Sequence, residues 1–419
     1  MKELIRFLKE FIQNKGLFVF TSIFVSKFSM LLTNIIAARL ISKEEFGLVA
    51  LVFSVFAIFV PLSGMGSYQG LLRFGVLEKN NENRDAISNY AFRKGMANHL
   101  MITVFYFIVC YFYTLKYGNL KLIILLFGVR LVGTYFLNHI QTYLRTNNDN
   151  KRFSILNMTV SVVGLAMVVV GTFGFALTGY LVAMAIMPWV SLIYFKKPMY
   201  ANFVPTLNFN TKEFWSYSIH SSLNSFFSDI LFSIDFMLIG LMMQESDIAF
   251  YKTAIILPMN LALLPQIFMQ TDYPKLTLNH QDVGYLKYYI KNYYKIFIPL
   301  GIAIILVGFL LKDLIVPLFF GNDYCGNGWV FFIILLALVL NMWLRSLYGN
   351  LAAAIGKANW NTHATLGAIV IILAVGFWLI PIYGIIGAAV GMALALTFTG
   401  IYTMLLFYAY LRNLENGKI

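Results

Sequence analysis

The chain has 419 residues, 60% of them hydrophobic, 17% aromatic and only 12% charged, with a mean hydropathy of +0.75. Soluble proteins carry about 45–50% apolar and about 25% charged residues, so a soluble enzyme is excluded. The net charge of +13 then points to basic cytoplasmic loops and not to nucleic acid.

Taken in chain order, the first fifteen residues place Leu4, Ile5, Leu8, Phe11 and Ile12 on one helical stripe beside Lys2, Arg6, Lys9 and Lys15. That pattern predicts a short helix on the anionic inner leaflet. It does not read as a cleavable signal, because the apolar run that follows is too long and lacks a small-residue cleavage site. A membrane-crossing helix needs about 20 apolar residues. Twelve stretches meet this, at 17–39, 46–68, 95–115, 120–142, 154–173, 175–195, 214–242, 248–272, 293–316, 329–352, 361–381 and 384–411. Gly174, and Pro381 with Gly384, are expected to turn the chain inside the two nearly continuous pairs. With the N-terminus inside, 22 of the 31 Lys and Arg fall in inner segments and six in outer ones. The asymmetry predicts an all-α, multi-pass membrane protein with both termini cytoplasmic. An outer-membrane barrel would show short alternating strands instead.

The chain repeats itself. Phe46 and Pro61 are fifteen apart in the second span, as are Phe250 and Pro265 in the eighth. GYLVAMA at 179–185 matches GAAVGMA at 387–393 at four of seven positions. Two six-helix halves follow, 1–205 and 206–419. Six is even, so the halves are related by an axis along the membrane normal. That is the parallel-repeat transporter plan, with a substrate site between halves near mid-membrane and alternating access.

Charged groups at the bilayer centre cost about 2.5–3.5 kcal/mol on insertion scales, so they mark cavities or partners. Lys27 sits mid-span in the first span, Arg130 in the fourth, Asp229 and Asp235 in the seventh, and Arg345 in the tenth. Asn34 shares a helix face with Lys27. Ser218, Ser222, Ser225, Asp229 and Ser233 form one continuous face, either a wet cavity wall or a packing seam of small hydroxyl residues. Arg130 and Arg345 either bind an acidic or phosphate-bearing substrate or pair with the aspartates. His139, near the inner end of its span, could line a cavity mouth; His220 and His363 read as packing or interface residues. No nucleotide-binding or zinc motif is present, and Cys110 and Cys325 make no metal pattern, so no cofactor is expected.

Residues 37–75, AARLISKEEFGLVALVFSVFAIFVPLSGMGSYQGLLRFG, place A-R-L before an acidic loop and F-G at the next helix start. This stretch, with 235–274, 315–360 and 380–393, resembles the O-antigen (Wzx-type) polysaccharide repeat-unit flippases. They are a branch of the multidrug/oligosaccharidyl-lipid/polysaccharide exporters. The resemblance implies a non-enzymatic flippase in the bacterial inner membrane, serving O-antigen and lipopolysaccharide synthesis. Its substrate would be an undecaprenyl-diphosphate-linked oligosaccharide whose tail stays among the membrane lipids. Lys27, Asn34, Arg130 and Arg345 would contact the substrate. Asp229 and Asp235 would bind H⁺ or Na⁺ as the coupling ion, and the pathway's polymerase is a candidate partner. Lys27 stands twelve before Arg39, the spacing of basic residues in lipid II flippases, although Thr33 replaces their second basic residue and those relatives have fourteen helices. The alternative is a multidrug antiporter of the same superfamily. A pathway polymerase or acyltransferase is disfavoured, because no large outer loop or catalytic constellation is visible.

Overall fold

The computed structural model describes residues 16–200, 210–261, 265 and 276–416, and among these every regular element is helical. Backbone packing divides the chain into two compact units, Met1–Asp229 and Ile230–Ile419. The expected surface helix at 1–15 and the boundary between the sequence halves lie outside the described residues.

In the first unit, α1 (Gly16–Leu40) packs against α6 (Asn150–Ile186). Lipid tails give apolar helices no drive to associate, so small residues that allow close approach make the interface. Ser22, Ser29 and Thr33 of α1 are buried, and Ser26 Oγ lies 2.6 Å from Ser161 Oγ. Ser42 caps the start of α2 (Lys43–Phe59): its hydroxyl accepts from the Glu45 N–H and donates to the Glu45 carboxylate. The second expected span is not one rod. α2 stops just before Pro61, and Gly64, Met65 and Gly66 follow with φ of 59°, 51° and 73°. This left-handed turn precedes α3 (Ser67–Leu77). Glycine takes such angles freely, while Met65 there costs about 1–2 kcal/mol.

α4 (Asn81–Thr114) is capped by Asn80, and α5 (Lys121–Thr146) follows. α6 doubles back at Phe175–Ala176, beyond the expected Gly174, with Ala176 at φ 45°. Its two arms are so close that a Cβ on Gly171 or on Gly179 would collide with the other's backbone. α7 (Thr211–Leu231) joins the first unit up to Asp229. Phe214, fully buried, clusters with Leu71, Ile87 and Ala91, and the Trp215 indole donates to the Tyr90 hydroxyl at 3.0 Å.

The second unit begins at the break after α7. It holds α8 (Ile234–Met242), α9 (Glu245–Leu261), α10 (Val283–Leu310), α11 (Lys312–Phe320) and α12 (Gly328–Trp343). α13 (Arg345–Ala354), α14 (Asn359–Tyr383) and α15 (Ile385–Glu415) complete it. α14 and α15 form a hairpin at Gly384, φ 57°, and Gly387 abuts the Leu379 backbone without room for a Cβ. The pairs 171/179 and 379/387 are both displaced by 208 residues, the offset between GYLVAMA and GAAVGMA. The sequence repeat therefore marks the same close approach in two hairpins.

Nine helices among the described residues are long and apolar enough to span a membrane, ten when α7 with α8 counts as one. Asn150–Tyr194 counts once in that number, yet its reversal makes it the expected fifth and sixth spans. The eighth expected span is described only to Leu261 and at residue 265.

Candidate functional site

The cations selected from sequence stand in different surroundings. Lys27 is exposed on α1, and Asn34, half-buried, donates to the Met30 carbonyl one turn back at 2.8 Å. Arg130 is held more firmly. Its Nη1 donates to the Met184 carbonyl of α6, its Cζ lies 5.5 Å from the Phe56 ring centroid, and its Nε is buried with no partner. Arg345 opens α13 after the break at Leu344, with its Cζ 5.5 Å from the Phe232 ring centroid. Among the described residues neither arginine has a carboxylate within ion-pair distance. The expected pairing with Asp229 or Asp235 is not formed; each guanidinium lies over a phenylalanine ring instead, held by its attraction to the ring's negative face.

The two aspartates flank the break between α7 and α8. Asp235, 1% exposed, occupies the first turn of α8, where the positive end of a helix dipole favours a carboxylate. Its Oδ1 accepts from the Phe236 N–H at 2.9 Å and its Oδ2 from the Tyr251 hydroxyl at 2.6 Å. Lys252 lies within electrostatic reach. Asp229 is half-buried in the last turn of α7, a turn that holds no basic residue. Among the described residues it takes part in no hydrogen bond or ion pair through its side chain.

The serine face of α7 has two parts. Ser218 and Ser222 are buried against Gly66 and Gly70, and the Ser222 hydroxyl donates to the Pro61 carbonyl at 2.8 Å. This stretch is a packing seam, tied further by Arg73 at 4.6 Å from the Tyr217 ring centroid. Ser233, beyond the end of α7, is buried again, while Ser225 and Asp229 are only half-buried. Here the Gln69 amide donates to the Tyr68 hydroxyl at 3.2 Å and to Ser225 Oγ at 3.4 Å, and Asp229 is within electrostatic reach of Tyr68. Sequence reasoning passed over Gln69, whose signal was a polar pair, Tyr68-Gln69, inside a glycine-rich stretch. It also passed over Tyr251, which nothing local marked.

His139 is buried, with Ser88 Oγ at 3.2 Å from Nε2, so it packs in the core and lines no mouth. His220 and His363 are exposed. A separate cleft of about 480 Å³ at the α5–α6 connection is lined by residues including Tyr143, Asn147, Asp149, Arg152 and Lys196. None of the six residues selected from sequence lines it.

Residues 12–280 match the family described as polysaccharide biosynthesis protein. Among curated proteins none matches in sequence. Several solved structures share the fold. One is an inward-facing multidrug resistance MATE family transporter of the MOP superfamily, 16% identical, TM-score 0.72, covering 94% of this chain and 96% of the other. Another is the lipid II flippase MurJ in an inward closed conformation, 15% identical, TM-score 0.74, covering 93% and 87%. A third is a MOP superfamily transporter from Pyrococcus furiosus, 15% identical, TM-score 0.60, covering 96% of each chain.

Proposed function

The chain belongs to the family of polysaccharide biosynthesis proteins, and on that premise we propose that it is a flippase. It carries undecaprenyl-diphosphate-linked oligosaccharide repeat units across the bacterial inner membrane by alternating access, driven by an H⁺ or Na⁺ gradient. The halves 1–205 and 206–419 are the two moving repeats. The observation that carries the reading is that Arg130, in the first unit, and Arg345, in the second, each lack a carboxylate partner among the described residues. A cation held inside protein without a counter-charge is costly, and a diphosphate supplies that charge with bidentate hydrogen bonds. Arg345 adds the N-terminal end of α13, whose dipole also favours an anion. Lys27 and Asn34 serve as further contacts for headgroup and sugars, and Asp229 and Asp235 are the ion-coupling candidates.

The test is surface polymer display in a bacterial strain that lacks its own repeat-unit flippase and carries this chain with its native glycan pathway. Arg130→Ala and Lys27→Ala are expected to abolish display while immunoblots show unchanged protein. Display surviving both changes overturns the cation role. Absence of display by the wild-type chain, together with drug resistance conferred on a pump-deficient strain, replaces the flippase with a multidrug antiporter.

A further inference from the structure

Because α6 doubles back at Phe175–Ala176, the chain that enters it at Asn150 returns to the same end of the first unit. The cleft of about 480 Å³ lies there, between the end of α5, the start of α6 and the stretch after α6. Most of its polar groups are already matched within the protein. The Tyr143 hydroxyl donates to Asp85 Oδ1 at 2.8 Å. The Asn147 amide donates to the Tyr143 carbonyl and accepts from Arg84, both at 2.9 Å. Asp149 caps α6: its Oδ1 accepts from the Arg152 N–H at 3.0 Å, and its Oδ2 lies 3.4 Å from Arg152 Nε. What remains without a protein partner among the described residues is the Nη pair of Arg152, Lys196 Nζ and the Tyr194 hydroxyl. Every one of these groups donates hydrogen bonds, and two of the three side chains are cations.

Unmatched donors with positive charge suit a phosphate, whose oxygens only accept. Arg145, Lys151 and Lys197, exposed on the same segments, raise the positive potential further. The lip of the cleft is apolar. Ile193 lines it and is 78% exposed, a costly placement in water but not against hydrocarbon. The ligand that fits both features joins a phosphate to an alkyl chain. The loop charges place this end of α5 and α6 on the inner side, where basic pockets between membrane helices take anionic lipid headgroups. We propose that Arg152, Lys196 and Tyr194 bind the phosphodiester headgroup of an anionic glycerophospholipid of the inner leaflet, with an acyl chain along Ile193. A zwitterionic headgroup would bring an ammonium group to a cleft whose one lining carboxylate, Asp149, is already held by Arg152. None of these residues takes part in the transport reading above, so the site stands or falls separately from it.

The experiment follows the thermal unfolding midpoint of the full-length protein in a neutral detergent. Short-chain phosphatidylglycerol, phosphatidylethanolamine of equal chain length and inorganic phosphate are titrated in turn at constant ionic strength and pH. A ligand that binds only the folded state raises the midpoint saturably. Wild type is expected to show that rise with phosphatidylglycerol and little with the other two. Arg152→Gln and Lys196→Gln should each raise the half-saturating concentration about fivefold, and the double variant by more than either alone. Lys196→Glu reverses a charge at an exposed position with no protein partner among the described residues, so the fold is kept and the response should vanish. Lys291→Gln, which removes an exposed cation of α10 in the second unit, should leave the response unchanged. No response, or equal responses to the two lipids, overturns the proposal. So does a phosphatidylglycerol response kept in Lys196→Glu and in the double variant, which would put the lipid elsewhere. Inorganic phosphate matching phosphatidylglycerol makes the ligand a soluble anion and overturns the lipid assignment.

Discussion

Asp229 and Asp235 lie six residues apart on opposite sides of one helix break, and the protein treats them oppositely. Asp235 stands at the favourable end of α8 with two donors on its carboxylate. Asp229 stands at the unfavourable end of α7 with neither donor nor base among the described residues. A carboxylate already satisfied by its own fold supports structure, whereas one left unsatisfied is free to recruit an ion. The two positions therefore differ in what they contribute before any ligand arrives.

The largest contrast is expected from alanine at each position. Asp235→Ala leaves the Tyr251 hydroxyl buried without its acceptor and should cost about 2–3 kcal/mol, read as a lower unfolding midpoint in detergent. Equal tolerance of Asp235→Ala and Asp229→Ala would break the comparison. Tyr251→Phe is the milder probe of the same bond and should cost about 1–2 kcal/mol. The smallest effect has the opposite sign. Asp229→Lys places a positive charge at the C-terminal end of α7 and should stabilise the protein by about 0.3–1 kcal/mol. A fall in midpoint for that variant would mean that Asp229 holds a structural contact after all.

Much of the fold was legible in the sequence because spans are a matter of length and hydropathy, both local quantities. The hairpin repeat was legible too, since Gly179 and Gly387 are required where two backbones touch. The break at Gly64–Gly66 was not, because a run of apolar residues reads the same whether it is one rod or two. The serine face of α7 left two meanings open, and Gly66 and Gly70, some 150 residues away in sequence, decide the matter for its first half. The rings beneath Arg130 and Arg345 were equally hidden. Phe56 lies in a span rich in phenylalanine, and no pattern distinguishes it from its neighbours. The charged residues themselves were easy to find; the company each keeps is set by contacts distant along the chain.

The left-handed turn between α2 and α3 has a mechanical consequence. Three successive residues with positive φ cannot be absorbed into a right-handed helix unless all three invert together. The second span thus behaves as two stiff levers around a fixed elbow, with the seam of α7 clamped on Gly66 and Gly70 and bonded to the Pro61 carbonyl just before the elbow. A push on α2 is therefore passed through the fixed elbow to α3, and the helix lying across Gly66 and Gly70 is carried with it.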